Sequence, residues 1–128
     1  MLSLNFSQNV LKENKAYKLH ITDEQKLEGL PESIRESAAA TAKEHGLEGW
    51  VFTLDAPSYG PFLMYSTQRD IRKELYMAHN TLCIKANSEN NIDICKRLVN
   101  LRRETAQLLG YESYADFVMK YRMASNVK

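Results

Sequence analysis

"YKLHIT", residues 17–22, decides whether this chain is all helix or carries a sheet. Tyr17, Leu19 and Ile21 alternate with Lys18 and His20, the period of a half-buried strand. A lone strand leaves its backbone N–H and C=O groups without partners, so a second one is required. It is found in "GWVFTL", residues 49–54, where Trp50, Phe52 and Leu54 alternate with Val51 and Thr53. The simplest arrangement pairs residues 17–21 with 50–54 antiparallel, with the intervening helices packed outside.

Outward from the strands the pattern is helical. Leu4, Val10 and Leu11 fall at roughly helical spacing, so the chain opens inside a helix. Thr22 with Gln25 three residues later reads as a capping box opening a short helix over residues 23–28, which ends at Gly29. Pro31 sits where a first helical residue tolerates proline, with Glu32 and Glu36 near the positive end of the dipole. The Ala-rich helix that follows runs to His45 and stops at Gly46. Pro57 and Pro61 restrict the next segment to a turn or a short distorted helix. From Ser66 or Thr67 a helix carries Ile71, Leu75, Ala78 and Leu82 on one face. "KANSENN", residues 85–91, is a loop.

The longest helix spans Ile92 to Leu109. Ile92, Cys95, Val99, Ala106 and Leu109 form a face that Ile94, Leu98, Leu101 and Leu108 widen. That width reads as the structural centre, and Gly110 is its stop. Ser113 caps a last helix with Tyr114, Phe117, Val118 and Tyr121 pointing inward. Asn126 reads as a turn or cap before a further helix, so the chain is expected to end in mid-architecture. The fold class expected is mainly α: a helical array with one short two-stranded antiparallel element, a single unit over residues 1–128.

The 128 residues are 44% hydrophobic and 26% charged, which fits one domain or a compact part of a larger one. Net charge is +1 with acids and bases interspersed, so no nucleic-acid surface is expected. The apolar runs are too short to span a membrane, and "MLSLNFSQNV" lacks the basic and apolar regions of a signal peptide. A cytoplasmic location is the expectation, although in a piece of a longer protein the first residue says nothing about export of the parent. Cys83 and Cys95 lie in helical patterns and read as free buried thiols.

Candidate chemistry is thin. A zinc peptidase helix needs two histidines four apart with a glutamate to activate water. His20, His45 and His79 have no such partners. His79 and Cys83 are four apart, with Cys95 as a conceivable third ligand, but structural zinc sites use four ligands in clustered pairs. Cys83 as a nucleophile lacks a base and an orienting group, and a structural thiol is the better reading. Tyr59, Tyr65 and Tyr76 could line a groove, although rings closing the core over the sheet explain them better. Arg69, Arg72 and Lys73 are neutralised by Asp70 and Glu74 as a solvated helix face. No catalytic, cofactor-binding or metal residue is therefore assigned.

Four segments, in this order, carry a resemblance: "LEGLPESIRESAAATAKEHGLEGWVFTLDAPSYGPFLMYS" (27–66), "RDIRKELYMAHNT" (69–81), "NLRRETAQLLGYESYADFV" (100–118) and "YRMASN" (121–126). Together they resemble the part preceding the catalytic domain in the thimet oligopeptidase, peptidyl-dipeptidase and oligopeptidase A group of zinc metallopeptidases. The resemblance implies a parent enzyme that hydrolyses short peptides with zinc bound at an HExxH site further along. This chain would then supply helical wall to the channel, with no catalytic residue and no metal of its own. Its partners would be short peptides, the remainder of the parent chain and, for the isolated segment, other copies of itself. The alternative is a stand-alone helical interaction or peptide-binding module without hydrolase activity.

Overall fold

Leu19–Ile21 (β1) and Trp50–Phe52 (β2) form the expected antiparallel pair, with Leu19 opposite Phe52, His20 opposite Val51 and Ile21 opposite Trp50. The computed structural model describes residues 1–124, so the expected turn at Asn126 lies outside the described residues. On β1, Leu19 and Ile21 are buried and His20 is exposed, as alternation requires. On β2, Val51 and Phe52 are both buried, so both faces of this strand are covered. Glu32–Glu44 (α2) is the helix packed most extensively on β2. Its small buried residues Ala38 and Ala42 allow that close approach.

The first connection is a 3₁₀ turn over Glu24–Leu27, and its cap is Asp23, not Thr22. The Asp23 carboxylate accepts from the Gln25 N–H at 3.0 Å, an Asx-type turn that competes successfully with the predicted capping box. Gly29 follows at φ +87°, and a Cβ there would collide with the Tyr65 carbonyl oxygen. That close approach lets the Thr67 N–H donate to the Glu28 carbonyl at 3.1 Å. Pro31 is the residue before α2 and not its first turn, and α2 closes with the Leu47 N–H on the Ala42 carbonyl at 2.9 Å.

Ala56–Tyr65 (α3) is a ten-residue helix where only a turn or short distorted helix was expected. Pro57 lies in the first turn, where a missing N–H costs nothing, and Pro61 removes one interior bond. Burial of Phe62 offsets that loss: its ring meets Phe52 edge-on at 4.7 Å between centroids. Arg69–Asn80 (α4) brings Leu75 to the same centre, with Ile71, Ala78 and Leu82 packed around it. Leu19, Ile21, Leu27, Leu30, Ala38, Phe52, Leu54, Phe62 and Leu75 form one core.

Leu2–Ala16 (α1), Ile92–Leu108 (α5) and Tyr114–Met119 (α6) lie outside that core. This corrects the expectation that the longest helix is the centre. Ala106 is its only fully buried residue, Val99 is 63% exposed and Leu108 is 88% exposed. An apolar face records that a helix is to be covered, while the core forms where several such faces meet. In α6 no residue is fully buried, and Tyr121 lies beyond its end and is exposed, against the expected inward face. The aromatic rings on and flanking α6 pack on one another instead, with Phe117 5.4 Å from Tyr111, 5.8 Å from Tyr114 and 6.0 Å from Tyr121.

Candidate functional site: a polar latch and an apolar groove between α1 and α5

Polar groups fasten α1 to the rest of the chain. The Glu13 side chain is 11% exposed and lies against the turn that follows α4. Its Oε2 accepts from the Cys83 N–H, and the Lys85 ammonium lies 3.0 Å from Oε1, which has no well-directed hydrogen bond. Burial alone would push the Glu13 carboxyl up, but the Cys83 N–H and the Lys85 ammonium outweigh it and hold it below its ordinary value. One turn of helix away, the buried Asn91 donates its amide to the Phe6 carbonyl at 3.1 Å and accepts from the Asn9 amide at 2.9 Å. Its own N–H donates to the Cys83 carbonyl at 2.8 Å. The Glu13 and Asn91 side chains, with Lys85 and Asn9 as their partners, therefore hold the turn and α1 together.

Beside this latch runs an apolar groove in two lobes. One, of about 320 Å³, lies between Ser3, Phe6 and Ser7 of α1 and Cys95, Leu98, Val99 and Arg102 of α5. The other, of about 330 Å³, continues past Phe6 and Cys95 to Val10, Leu82, Ile84 and Ile92, with Lys96 at its edge. No carboxylate lines either lobe. Beyond the first lobe the Arg102 guanidinium sits 5.4 Å from the centre of the Tyr114 ring.

The residues weighed for chemistry are kept apart by the fold. His79 stacks on Tyr59 at 4.3 Å between centroids. His20 Nε2 is 2.6 Å from the Glu48 carbonyl, and His45 Nδ1 is 3.2 Å from the Lys18 ammonium. Cys83 is not helical: it sits in the turn at φ +59° with its side chain buried. Burial, and then the Glu13 carboxylate, push its thiol up to about 11, the opposite of what a nucleophile or metal ligand needs. Cys95 is exposed on α5, which corrects its reading as a buried thiol. Among the described residues no three His, Cys, Asp or Glu side chains converge as a metal site, so these residues do not fit zinc.

Tyr59 packs against the core, whereas Tyr65 and Tyr76 are about half exposed. Arg72 does not belong to a purely solvated face: it donates to the Ser66 carbonyl at 2.6 Å, capping the end of α3. Arg35 likewise donates to the Leu30 and Leu27 carbonyls at 3.0 and 3.2 Å. The latch was not visible in the sequence, because Glu13 and Cys83 are joined only by the fold. Asn91, read only as part of the 85–91 loop, stands just before α5, but its side chain makes no cap bond there and bonds to α1 instead.

These observations define a class: a helical unit braced by a two-stranded sheet, with no helix among the described residues long and apolar enough to cross a membrane. The sequence places it further. The model of peptidase family M3 matches residues 62–128, just over half of the chain, and the chain belongs to that family. It is 37% identical over 129 residues to oligopeptidase A of Escherichia coli (strain K12), covering 98% of this chain and 19% of that protein. Against the "Probable cytosolic oligopeptidase A" of Arabidopsis thaliana it is 37% identical over 131 residues, covering 97% and 18%. Dipeptidyl carboxypeptidase of Salmonella typhimurium (strain LT2) is 35% identical over 124 residues, covering 96% and 18%. The chain thus spans about a fifth of the length of the curated relatives it matches.

Proposed function

We propose that this chain is a non-catalytic segment of a zinc-dependent oligopeptidase or peptidyl-dipeptidase that hydrolyses short peptides. The observation that carries the reading is alignment of 96–98% of the chain, at 35–37% identity, inside relatives named for peptide cleavage. The segment contributes helical wall to the channel that admits peptides. The zinc site belongs to another part of the parent polypeptide, since the three histidines here are dispersed and each is engaged with a different neighbour. We place the parent in the cytoplasm, the compartment in the name of one Arabidopsis relative; a second, equally similar one is named as chloroplastic/mitochondrial.

The test uses two proteins. The complete reading frame should hydrolyse a short peptide and lose that activity to a chelator, while the 128-residue chain should show neither cleavage nor bound zinc. Cleavage by the chain alone, or about one tightly held zinc per chain, overturns the reading. A second reading, a stand-alone helical interaction or peptide-binding module, is favoured by one observation: Leu19 to Leu75 close a core of their own. A reading frame that lacks an HExxH segment would select it.

A further inference from the structure

We infer that the groove between α1 and α5 is the seat of an amphipathic helix from the remainder of the parent polypeptide, one that brings an acidic side chain to Lys96 and Arg102. This rests on the reading of the chain as a segment of a larger peptidase. The walls are built for a helix. Ser3, Phe6, Ser7 and Val10 on α1 follow the spacing i, i+3, i+4, i+7, and so do Cys95, Leu98, Val99 and Arg102 on α5. Two helices with such rows leave a furrow into which the ridge of a third fits. Ser3, Ser7 and Cys95 are small, so the third backbone can come close.

The charge of the occupant follows from the lining. Lys96 edges one lobe, with only an exposed i,i+3 ion pair to Asp93 at 3.8 Å, and Arg102 edges the other, with Glu112 on its far side beside Tyr114; no carboxylate lines either lobe. An apolar stripe flanked by a carboxylate matches that surface. The source follows from length. Relatives about five times as long as this chain contain nearly all of it, so a tethered helix reaches the groove at high effective concentration without needing a second molecule. Without an occupant α5 leaves Ile92, Val99, Leu101 and Leu108 exposed, and monomers rarely keep a large contiguous apolar surface.

Cys95 reports on the groove, because its exposed thiol lies where the two lobes meet while Cys83 is buried. N-ethylmaleimide labelling, read by mass spectrometry of the Cys95 peptide, is compared in the dilute 128-residue chain and in the native product of the complete reading frame. The expected result is labelling of Cys95 roughly 100-fold slower in the complete protein, with equal rates after denaturation. Equal native rates overturn the proposal, as does protection that disappears on dilution, which would assign the groove to a second copy. Peptide hydrolysis is measured on the same complete protein. An active enzyme with an unprotected Cys95 sinks the docking proposal alone, and an inactive, metal-free product sinks the peptidase reading.

Discussion

Glu13 is the residue whose removal separates an attached α1 from a loose one. Replacement by Ala strands the Cys83 N–H and leaves Lys85 without its ion pair, so the chain should lose about 1–3 kcal/mol in urea unfolding. The pH dependence has a definite sign. The carboxyl is held below its ordinary value of 4.5, so its contribution is fully present above that pH and is lost as pH falls through the lower folded value. Stability measured from pH 6 down to 3 should therefore drop less steeply in the Glu13→Ala variant than in the parent sequence. Identical slopes would show that this carboxylate is not coupled to folding. Gly29 gives a second test at this scale. Gly29→Ala places a methyl group against the Tyr65 carbonyl at a positive φ, so it should destabilise by roughly 1–3 kcal/mol, whereas most exposed glycine-to-alanine changes cost less.

At the scale of elements, the strands were the most legible feature and the longest helix the most misleading. Residues 17–21 gave themselves away by alternation, a local property, and 50–54 by their run of β-branched and aromatic residues, although burial on β2 does not alternate; the observed ladder lies inside both bounds. The apolar stripe of α4 was legible for the same reason. The place of α5 was not, because a hydrophobic face states what a helix will bury and says nothing about whether its partner lies nearby in the sequence. For α3 the sequence left open a turn or a short distorted helix, and the structure takes the helix, with the local cost of Pro61 offset by burial of Phe62. A pair of substitutions measures the difference between the two helices. Leu75→Ala, at a site with no exposure, should cost about 2–5 kcal/mol. Leu98→Ala, on the wall of an open groove, should cost about 1 kcal/mol or less. A Leu98 loss as large as that of Leu75 would restore α5 as the centre of the molecule.

Across the whole molecule, stability should be graded, because the core and the latch are built from different forces. Residues 19–75 share an apolar core closed by Phe52, Phe62, Leu27 and Leu75. By contrast α1 has no fully buried residue, and α5 has only Ala106. The latch of Glu13 and Asn91 fixes where α1 lies, but such contacts add little net free energy once exchange with water is counted. The latch was not legible beforehand, since Phe6, Glu13, Cys83 and Asn91 meet only after the chain has folded. Local opening follows the density of buried apolar contacts. Amide hydrogen exchange of the 128-residue chain at low concentration should therefore leave β1, β2, α2 and α4 as the slowest elements. The exposed second half of α5 and α6 should exchange fastest, with α1 between them and moved toward fast exchange by Glu13→Ala. Uniform protection across α5 and α2 would contradict this gradient and would mean that contacts beyond the Leu19–Leu75 core hold the last helices in place.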